Sequence, residues 1–343
     1  MTTKRVTLAD VARRAGLSSS AASMILNGRP DTRLSKDAHD RVNRAAAELG
    51  YRPNVAARSL RVDKTQTIGF ISDTVATTRF ASGLIRGALS AAAAANHVIL
   101  LAETGGDPAR ETDAIEALLD RQVDGIVFAT MRARELFVPD LLEDTRVVLL
   151  NANNEHYSTS VLPDEEQGGR DAVALLADAG HREGIVLLGH NAREERDVFR
   201  STTVERRLGG IQAEMSDRGM TFDLEESIWD WEPHHGYAAV SALLERGMTP
   251  RALICLNDRL AFGAYQALSE RGVRIPDDIS LVSFDNDELA SYLRPGLTTI
   301  GLPHEAMGAQ AVQLLLSEGT RGEHLVHMPV IERSSVRSVD STG

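Results

Sequence analysis

The stretch TLADVARRAGLSSSAASMILNG, residues 7–28, predicts two short helices joined by a tight turn. Thr7 is a good N-cap, and Asp10 places an acid in the first turn, where the helix dipole favours it. Gly16 ends the first helix, and Ser18 can cap the second. Apolar residues repeat at helical spacing in both segments: Leu8, Val11, Ala12 and Ala15, then Ala22, Ile25 and Leu26.

A third helix is predicted from Ser35, its N-cap, to Gly50, with the helical pattern over residues 36–49. Two short helices joined by a glycine turn, with a third packed across them, form a helix-turn-helix motif, which directs the start of its second helix into the DNA major groove. A small helical bundle without a ligand is the alternative.

Charge is sorted along the chain in a way that favours DNA binding by this N-terminal segment. The 343 residues carry a net charge of -12, but residues 1–62 hold 12 Lys and Arg against 5 Asp and Glu, a balance of +7. The rest of the chain has a balance of -19. A basic segment on an acidic body is typical of a protein with one part that faces nucleic acid.

The N-terminal residues also resemble the headpiece of the lactose/galactose-repressor (LacI/GalR) family of bacterial transcriptional regulators. The resemblance lies in the runs VTLADVA (6–12), AGLS (15–18), LNG (26–28), LGYRPN (49–54) and ARSL (57–60), with Ser23 in its expected place. It implies that Ser19, Ser20 and Met24 read base edges, while Thr7, Ser23 and Asn27 hold phosphates; Ser18 and Asn54 complete this part of the predicted DNA-binding set. Family members often carry a polar or cationic residue where Met24 stands, and methionine offers only apolar contact, for example with a thymine methyl group.

Residues 53–61 resemble the family's hinge helix, which is too short to be stable alone in water. In the family it folds when two copies meet in the minor groove. The resemblance implies that Leu60 is the apolar wedge that opens the central base step and that Ala57 is the small residue beside it. We therefore divide the chain into a headpiece (1–52), a hinge and linker (53–66) and a core (67–343).

From residue 67 onward, β-branched runs alternate with longer amphipathic segments. The predicted strands are residues 68–72, 98–102, 125–129, 147–151, 184–189, 227–229, 252–256 and 279–284. The predicted helices are residues 81–95, 110–121, 165–179, 205–218, 235–246, 259–271 and 305–316. This rhythm predicts parallel sheets with helices on both faces. It restarts at residue 184, and residues 124–128 and 148–151 match residues 251–255 and 281–285. We predict two similar doubly wound subdomains with a ligand cleft at the carboxyl ends of their strands. The family's core, shared with periplasmic sugar-binding proteins, has this architecture. The last strand is predicted at residues 327–331.

Seven residues at predicted strand ends or in loops are candidates for binding a small-molecule effector. Three lie in motifs that resemble the family's effector-site signatures, RLGG (207–210), NDRLAFG (257–263) and SFD (283–285). Planar donors and acceptors suit neighbouring hydroxyls, and aromatic faces suit a sugar ring. Asn257 and Asp258 have an alternative role in capping the next helix, and we expect Asp258 to take it. The candidates are Asp73, Phe80, Asn151, Arg207, Trp231, Asn257 and Asp285.

Several other kinds of chemistry have no sequence support. There is no glycine-rich phosphate loop, no cluster of His and Cys ligands and no Gly-x-Ser-x-Gly turn, so we expect no cofactor, metal or catalytic residue. The lone Cys255 lies in an apolar run and predicts an ordinary core thiol. No signal peptide or membrane span is visible, so we expect a cytoplasmic protein.

The sequence thus predicts a homodimeric repressor that binds a near-palindromic DNA operator and is switched by a small molecule, which we expect to be a sugar. Two-fold protein symmetry matches a palindromic site. One alternative is a regulator of the same fold whose core responds to a partner protein or a non-sugar corepressor. Another is an enzyme that uses its headpiece only for localisation.

Overall fold

The computed structural model describes residues 6–26, 34–51, 64–78, 82–135, 145–154, 157–190, 202–228, 230–317 and 321–339. The chain separates into two compact units, Met1–Thr65 and Gln66–Gly343. No helix in the described ranges is long and apolar enough to cross a membrane.

In the smaller unit, which includes the headpiece, the described residues form three helices: α1 (Leu8–Ala15), α2 (Ser19–Leu26) and α3 (Lys36–Leu49). Its predicted caps are confirmed. Thr7 and Asp10 form a reciprocal capping box, and Gly16 and Gly50 end their helices at φ values of 68° and 63°. The apolar faces meet in one core, whose buried members are Val11, Ala12, Ala15, Ala22, Ile25, Ala38, Val42, Ala45 and Ala46.

The described residues of the larger unit form two six-stranded sheets, which confirms the predicted pair of α/β subdomains. Both sheets are built from parallel pairs except where β12 runs antiparallel to β10. In the N-terminal subdomain the strand order is β11-β5-β4-β3-β1-β2, and in the C-terminal subdomain it is β12-β10-β9-β8-β6-β7. The strands of the first sheet are β1 (Thr67–Ser72), β2 (Val98–Glu103), β3 (Ile126–Glu135), β4 (Val147–Asn153), β5 (Thr159–Pro163) and β11 (Gly322–Val326).

The second sheet repeats the first, because β6, β8 and β9 occupy the places of β1, β3 and β4. The chain passes between subdomains three times: after β5, after β10 and after β11. The strands of the second sheet are β6 (Ile185–His190), β7 (Leu224–Ser227), β8 (Ala252–Cys255), β9 (Ser280–Asp285), β10 (Thr298–Gly301) and β12 (Val330–Ile331).

Helices cover both faces of each sheet, and each sheet has an apolar cluster on either side. All seven predicted helices of this unit are present within a few residues of their expected bounds. They are α4 (Ser82–Ala94), α5 (Pro108–Leu119), α6 (Glu165–Asp178), α7 (Thr202–Asp217), α8 (Pro233–Glu245), α9 (Asp258–Glu270) and α11 (His304–Leu316); the short α10 (Glu288–Tyr292) is additional.

Some strand predictions were wrong. The strand expected at residues 227–229 ends at Ser227 instead, and of the strand expected at 327–331 only Val330–Ile331 is present, as β12. Three strands, β5, β10 and β11, were not predicted. They are short, and β11 alternates exposed with half-buried residues at a sheet edge, so it lacks the continuous apolar run that reveals a central strand.

Three helix pairs approach so closely that their backbones touch through reciprocal glycines. In the pair α6–α7, an added Cβ on Gly169 would collide with the carbonyl oxygen of Arg207, and one on Gly210 would collide with that of Glu166. The pairs α4–α11 and α8–α9 are built in the same way, through Gly87 with Gly308 and Gly236 with Gly263. Glycine is therefore required at these positions for close approach rather than for its backbone freedom.

Candidate functional site

The exposed face of α2 carries the residues predicted to read DNA. Ser19 and Ser20 are exposed, Ser23 and Met24 are half-buried, and the side chains that alternate with them point into the headpiece core. The Ser18 hydroxyl accepts the backbone N–H of Ala21 at 3.2 Å, so Ser18 caps this helix as predicted. The first turn of α2 is therefore capped and carries its polar side chains outward, the orientation that a DNA-reading helix needs.

Thr7 lies at the start of α1, where its hydroxyl donates to Asp10 Oδ2 at 2.7 Å and accepts the Asp10 N–H at 3.3 Å. This capping box orders the helix end at which the sequence predicts a phosphate contact. Four other predicted DNA contacts, Asn27, Asn54, Ala57 and Leu60, lie outside the described residues.

In the C-terminal subdomain, a buried ion pair joins Arg207 to Glu165. Arg207 Nε and Nη2 donate to the two carboxylate oxygens at 2.6 and 2.8 Å, and both side chains are at most 4% exposed. Nη1 donates to the Leu256 carbonyl at 2.5 Å, and the guanidinium lies 4.4 Å from the centre of the Phe284 ring. Arg207 is therefore fixed at the carboxyl ends of β8 and β9.

The close contact of α6 with α7 makes this ion pair possible. Glu165 is the first residue of α6, and Arg207 precedes the glycine pair of α7. With Gly169 against the Arg207 carbonyl and Gly210 against that of Glu166, the two helices lie near enough for bidentate pairing. A larger residue at either glycine would separate the two charges.

The pairing also decides the electrostatics of the site. Burial by itself would lower the pKa of Arg207, but the Glu165 carboxylate outweighs burial and the pKa is raised. The guanidinium stays charged, and its charge is balanced inside the protein. An anionic ligand would gain little from a cation already paired in this way.

Trp231 and Asn257 extend the same cluster. Trp231 Nε1 donates to the Gly189 carbonyl at 3.0 Å, and Asn257 Nδ2 donates to the Trp231 carbonyl at 3.1 Å. Asn257 Oδ1 accepts the Leu260 N–H at 2.8 Å and so caps α9. The structure thus places Arg207, Trp231 and Asn257 together at the carboxyl ends of β6, β8 and β9.

The expectation that Asp258 caps this helix was wrong. The cap is Asn257, and Asp258 is a buried carboxyl that joins α9 to the second sheet. It accepts the hydroxyls of Ser283 and Thr299, the latter at 2.8 Å, and the Asp287 N–H at 2.7 Å. Burial raises the pKa of Asp258 to about 6, although these hydrogen bonds act in the opposite direction.

Asp285, at the end of β9, lies in the cleft between the subdomains. A pocket of about 680 Å³ lies there, lined by the start of α4, by residues 285–288 and by residues 302–306. Of the predicted effector residues that the structure describes, Asp285 lines this pocket, whereas Asp73, Asn151, Arg207, Trp231 and Asn257 do not. Burial raises the pKa of Asp285 well above its ordinary value, against the opposing charge of Arg207. Asp285 also has a φ of 107°, a strained conformation for a residue with a side chain.

Asp73 and Asn151 converge at the carboxyl edge of the first sheet. Asp73 Oδ1 accepts the Met131 N–H at 3.0 Å, and Asn151 Nδ2 donates to the Met131 carbonyl at 3.1 Å. Asn151 lies in β4, the counterpart of β9, and it too has a positive φ, 56°. Phe80 lies outside the described residues.

Glu103 holds the loop that follows β1 in place. Its carboxylate accepts the Ser72 hydroxyl at 2.5 Å, the N–H groups of Ala76 and Thr77 at 2.9 and 3.1 Å, and the Thr77 hydroxyl at 2.7 Å. Although burial opposes it, this set of hydrogen bonds lowers the pKa of Glu103. The loop that begins at Asp73 is therefore anchored to both neighbouring strands.

Sequence reasoning missed Glu165, Asp258 and Glu103 as residues that shape the site. Glu165 follows β5, which was not predicted, so its position at a strand end was hidden. Glu103 directly follows a predicted strand, and that position was a usable signal. Across the described residues, no group of three or more His, Cys, Asp or Glu side chains could hold a metal ion.

Comparisons with known proteins match both parts of the chain. Residues 7–54 match the family described as "Bacterial regulatory proteins, lacI family", and residues 173–336 match "Periplasmic binding protein-like domain". The HTH-type transcriptional repressor PurR of Vibrio atlanticus (strain LGP32) is 32% identical, over 97% of this chain and 99% of its own length. The ribose operon repressor of Haemophilus influenzae is 32% identical, over 90% of this chain and 91% of its own length.

Solved structures agree with these sequence relatives. The lac repressor dimer bound to operator and the anti-inducer ONPF superimposes with a TM-score of 0.76 and 26% identity, covering 97% of this chain and all of that one. A complex of the transcriptional regulator CelR with cellobiose has a TM-score of 0.63 and 26% identity, covering 96% and 100% of the two chains. The similarity extends over both compact units.

Proposed function

Since this chain belongs to the LacI family of bacterial regulatory proteins, we propose that it represses transcription by binding operator DNA and is switched by a small molecule. In this proposal residues 1–52 bind DNA, residues 53–66 form the hinge, and residues 67–343 bind the effector and a second copy of the chain. The proposal rests on one observation above all: 97% of the chain aligns with a transcriptional repressor.

The effector that best suits the cleft is a neutral molecule rich in hydroxyl groups, a sugar. The Glu165 carboxylate already balances the charge of Arg207, so an anionic effector would gain little from that cation. The solved relative that binds cellobiose and the relative named for the ribose operon support this choice. Arg207, Trp231, Asn257 and Asp285 would contribute from one subdomain, and Asp73, Phe80 and Asn151 from the other.

The switch follows from the architecture. A ligand held between two subdomains that are joined by three crossovers stabilises one relative arrangement of them. By linkage, effector and operator change each other's affinity by the same factor. A homodimer, like the lac repressor dimer, would present two headpieces to a near-palindromic operator. Acting on the chromosome, it would work in the cytoplasm, as a regulator rather than an enzyme.

The proposal is tested by selecting binding sites from random DNA with the full-length protein. The best site is then titrated by fluorescence anisotropy with and without a panel of neutral sugars. A two-fold symmetric site that one sugar releases or tightens is the expected result. A symmetric site that no sugar affects would retain the DNA function and point to a partner protein or another corepressor, whereas the absence of any enriched site would contradict DNA binding itself.

A further inference from the structure

The DNA-facing helix α2 has an unusual side-chain inventory. Its eight residues, SSAASMIL, contain no charged and no amide side chain. Ala21, Ala22 and Ile25 are buried, so the outward face consists of Ser19, Ser20, Ser23 and Met24.

This inventory excludes the strongest forms of base recognition by α2. Bidentate pairing to guanine requires Arg or Lys, and bidentate pairing to adenine requires Asn or Gln. A serine hydroxyl donates or accepts equally well, so Ser19 and Ser20 can bond to any of several base edges. Little base selectivity from hydrogen bonds is therefore available on this helix.

Met24 is the large apolar side chain on that outward face. It lies one turn after Ser20, at i+4, and therefore on the same side of the helix. Leu26 packs against the headpiece core, but Met24 does not belong to that cluster. A half-buried methionine that lies outside the core cluster of the described headpiece residues is available for an apolar contact with a ligand.

We propose that Met24 is the main base-selecting residue of α2 and that it selects thymine through the 5-methyl group. Thymine is the base that presents a methyl group in the major groove, so an apolar side chain on a major-groove helix distinguishes it by contact rather than by hydrogen bonding. This inference rests on the proposed DNA-binding function. If Met24 selects thymine, each half-site contains a thymine whose methyl group, in addition to its hydrogen-bonding groups, determines affinity.

Replacing thymine with deoxyuridine tests the proposal, because uracil lacks the 5-methyl group and keeps every hydrogen-bonding group. Each thymine of the selected operator is replaced in turn, in both half-sites, and affinity is measured for the full-length protein. At one symmetric position we expect operator affinity to fall about fourfold when one half-site is substituted, which is the contribution of one buried methyl group, and about fifteenfold when both are substituted.

Protein variants identify the residue that makes the contact. Met24→Ala should bind the thymine and uracil operators equally, and Met24→Leu should keep most of the preference. Ser20→Ala, on the same face one turn earlier, is the matched control: it should lower the affinity for the thymine and uracil operators by the same factor and leave their ratio unchanged. Affinity for unrelated DNA, together with the thermal unfolding of each variant, shows that the headpiece remains folded.

Two results would overturn the inference: a wild-type protein that tolerates uracil at every thymine, or a Met24→Ala variant that keeps the full penalty. Both presuppose a selected operator. They are therefore distinct from the failure of the proposed function, in which no operator is enriched at all.

Discussion

Replacing Arg207 with methionine would leave the Glu165 carboxylate buried without a cation. The two side chains are 4% and 3% exposed, so water cannot solvate the remaining charge. Methionine keeps an unbranched apolar chain that can lie on the Phe284 ring, so the loss is mainly electrostatic. The Leu256 carbonyl also loses its donor.

The expected cost follows from this burial. Removing one partner of a buried ion pair costs about 3–5 kcal/mol of unfolding free energy, and the lost hydrogen bond to the Leu256 carbonyl adds about 1 kcal/mol. The adjacent Arg206 is the matched control. It forms a bidentate pair with Glu323 at 2.7 and 2.9 Å, but those side chains are 34% and 35% exposed. Arg206→Met should therefore cost about 0–1 kcal/mol.

Urea unfolding followed by tryptophan fluorescence measures these costs in the larger unit, because Trp229 and Trp231, the two tryptophans of the chain, both belong to it. Adding Glu165→Gln to the Arg207→Met variant removes the unpaired buried carboxylate and should restore about 2 kcal/mol or more of unfolding free energy. Equal losses for Arg207→Met and Arg206→Met, or no recovery in the double variant, would refute the reasoning.

Two further perturbations have equally direct outcomes. Gly210→Ala should destabilise the protein by about 1–3 kcal/mol or more, because the added Cβ would collide with the Glu166 carbonyl. Gly209→Ala, whose Cβ would meet nothing within 4 Å, should stabilise it by up to about 1 kcal/mol. Urea unfolding midpoints of the two variants test this, and equal midpoints would contradict the close helix contact. The pKa of Asp258 is raised by burial from 3.8 to about 6, so its contribution to stability is complete below pH ~4 and is lost as the pH rises through 6. The wild-type protein should therefore lose about 3 kcal/mol of unfolding free energy as the pH rises from 4 to 7, and the Asp258→Asn variant should not show this loss. Thermal melts of both proteins between pH 4 and 7 measure it, and the same pH profile in both would contradict the role of Asp258.

The headpiece shows how much local sequence can determine. Thr7, Gly16, Ser18 and Gly50 fix helix ends through contacts with residues three or four positions away. Such contacts are encoded in adjacent sequence, so helix bounds and the outward face of α2 followed from the sequence. The alternation of strands and helices in the larger unit was predictable for a similar reason, because apolar periodicity is a local signal.

The missed strands show where local signals fail. Residues 322–326 become β11 because they pair with Thr159–Pro163, more than 150 positions earlier in the chain. Nothing in a short, half-exposed segment reveals a partner so far away. Missing β5 in turn hid Glu165, which follows it.

The sequence by itself determined the motif, the architecture and the set of polar residues at strand ends. Only the tertiary structure decided what those residues do. Arg207 and Glu165, 42 positions apart, become partners because glycines let α6 and α7 touch. Asp258 stays in the interior because β9 and β10 bring hydroxyls to it. Pairing and burial depend on contacts between distant segments, and these exist only once the chain has folded.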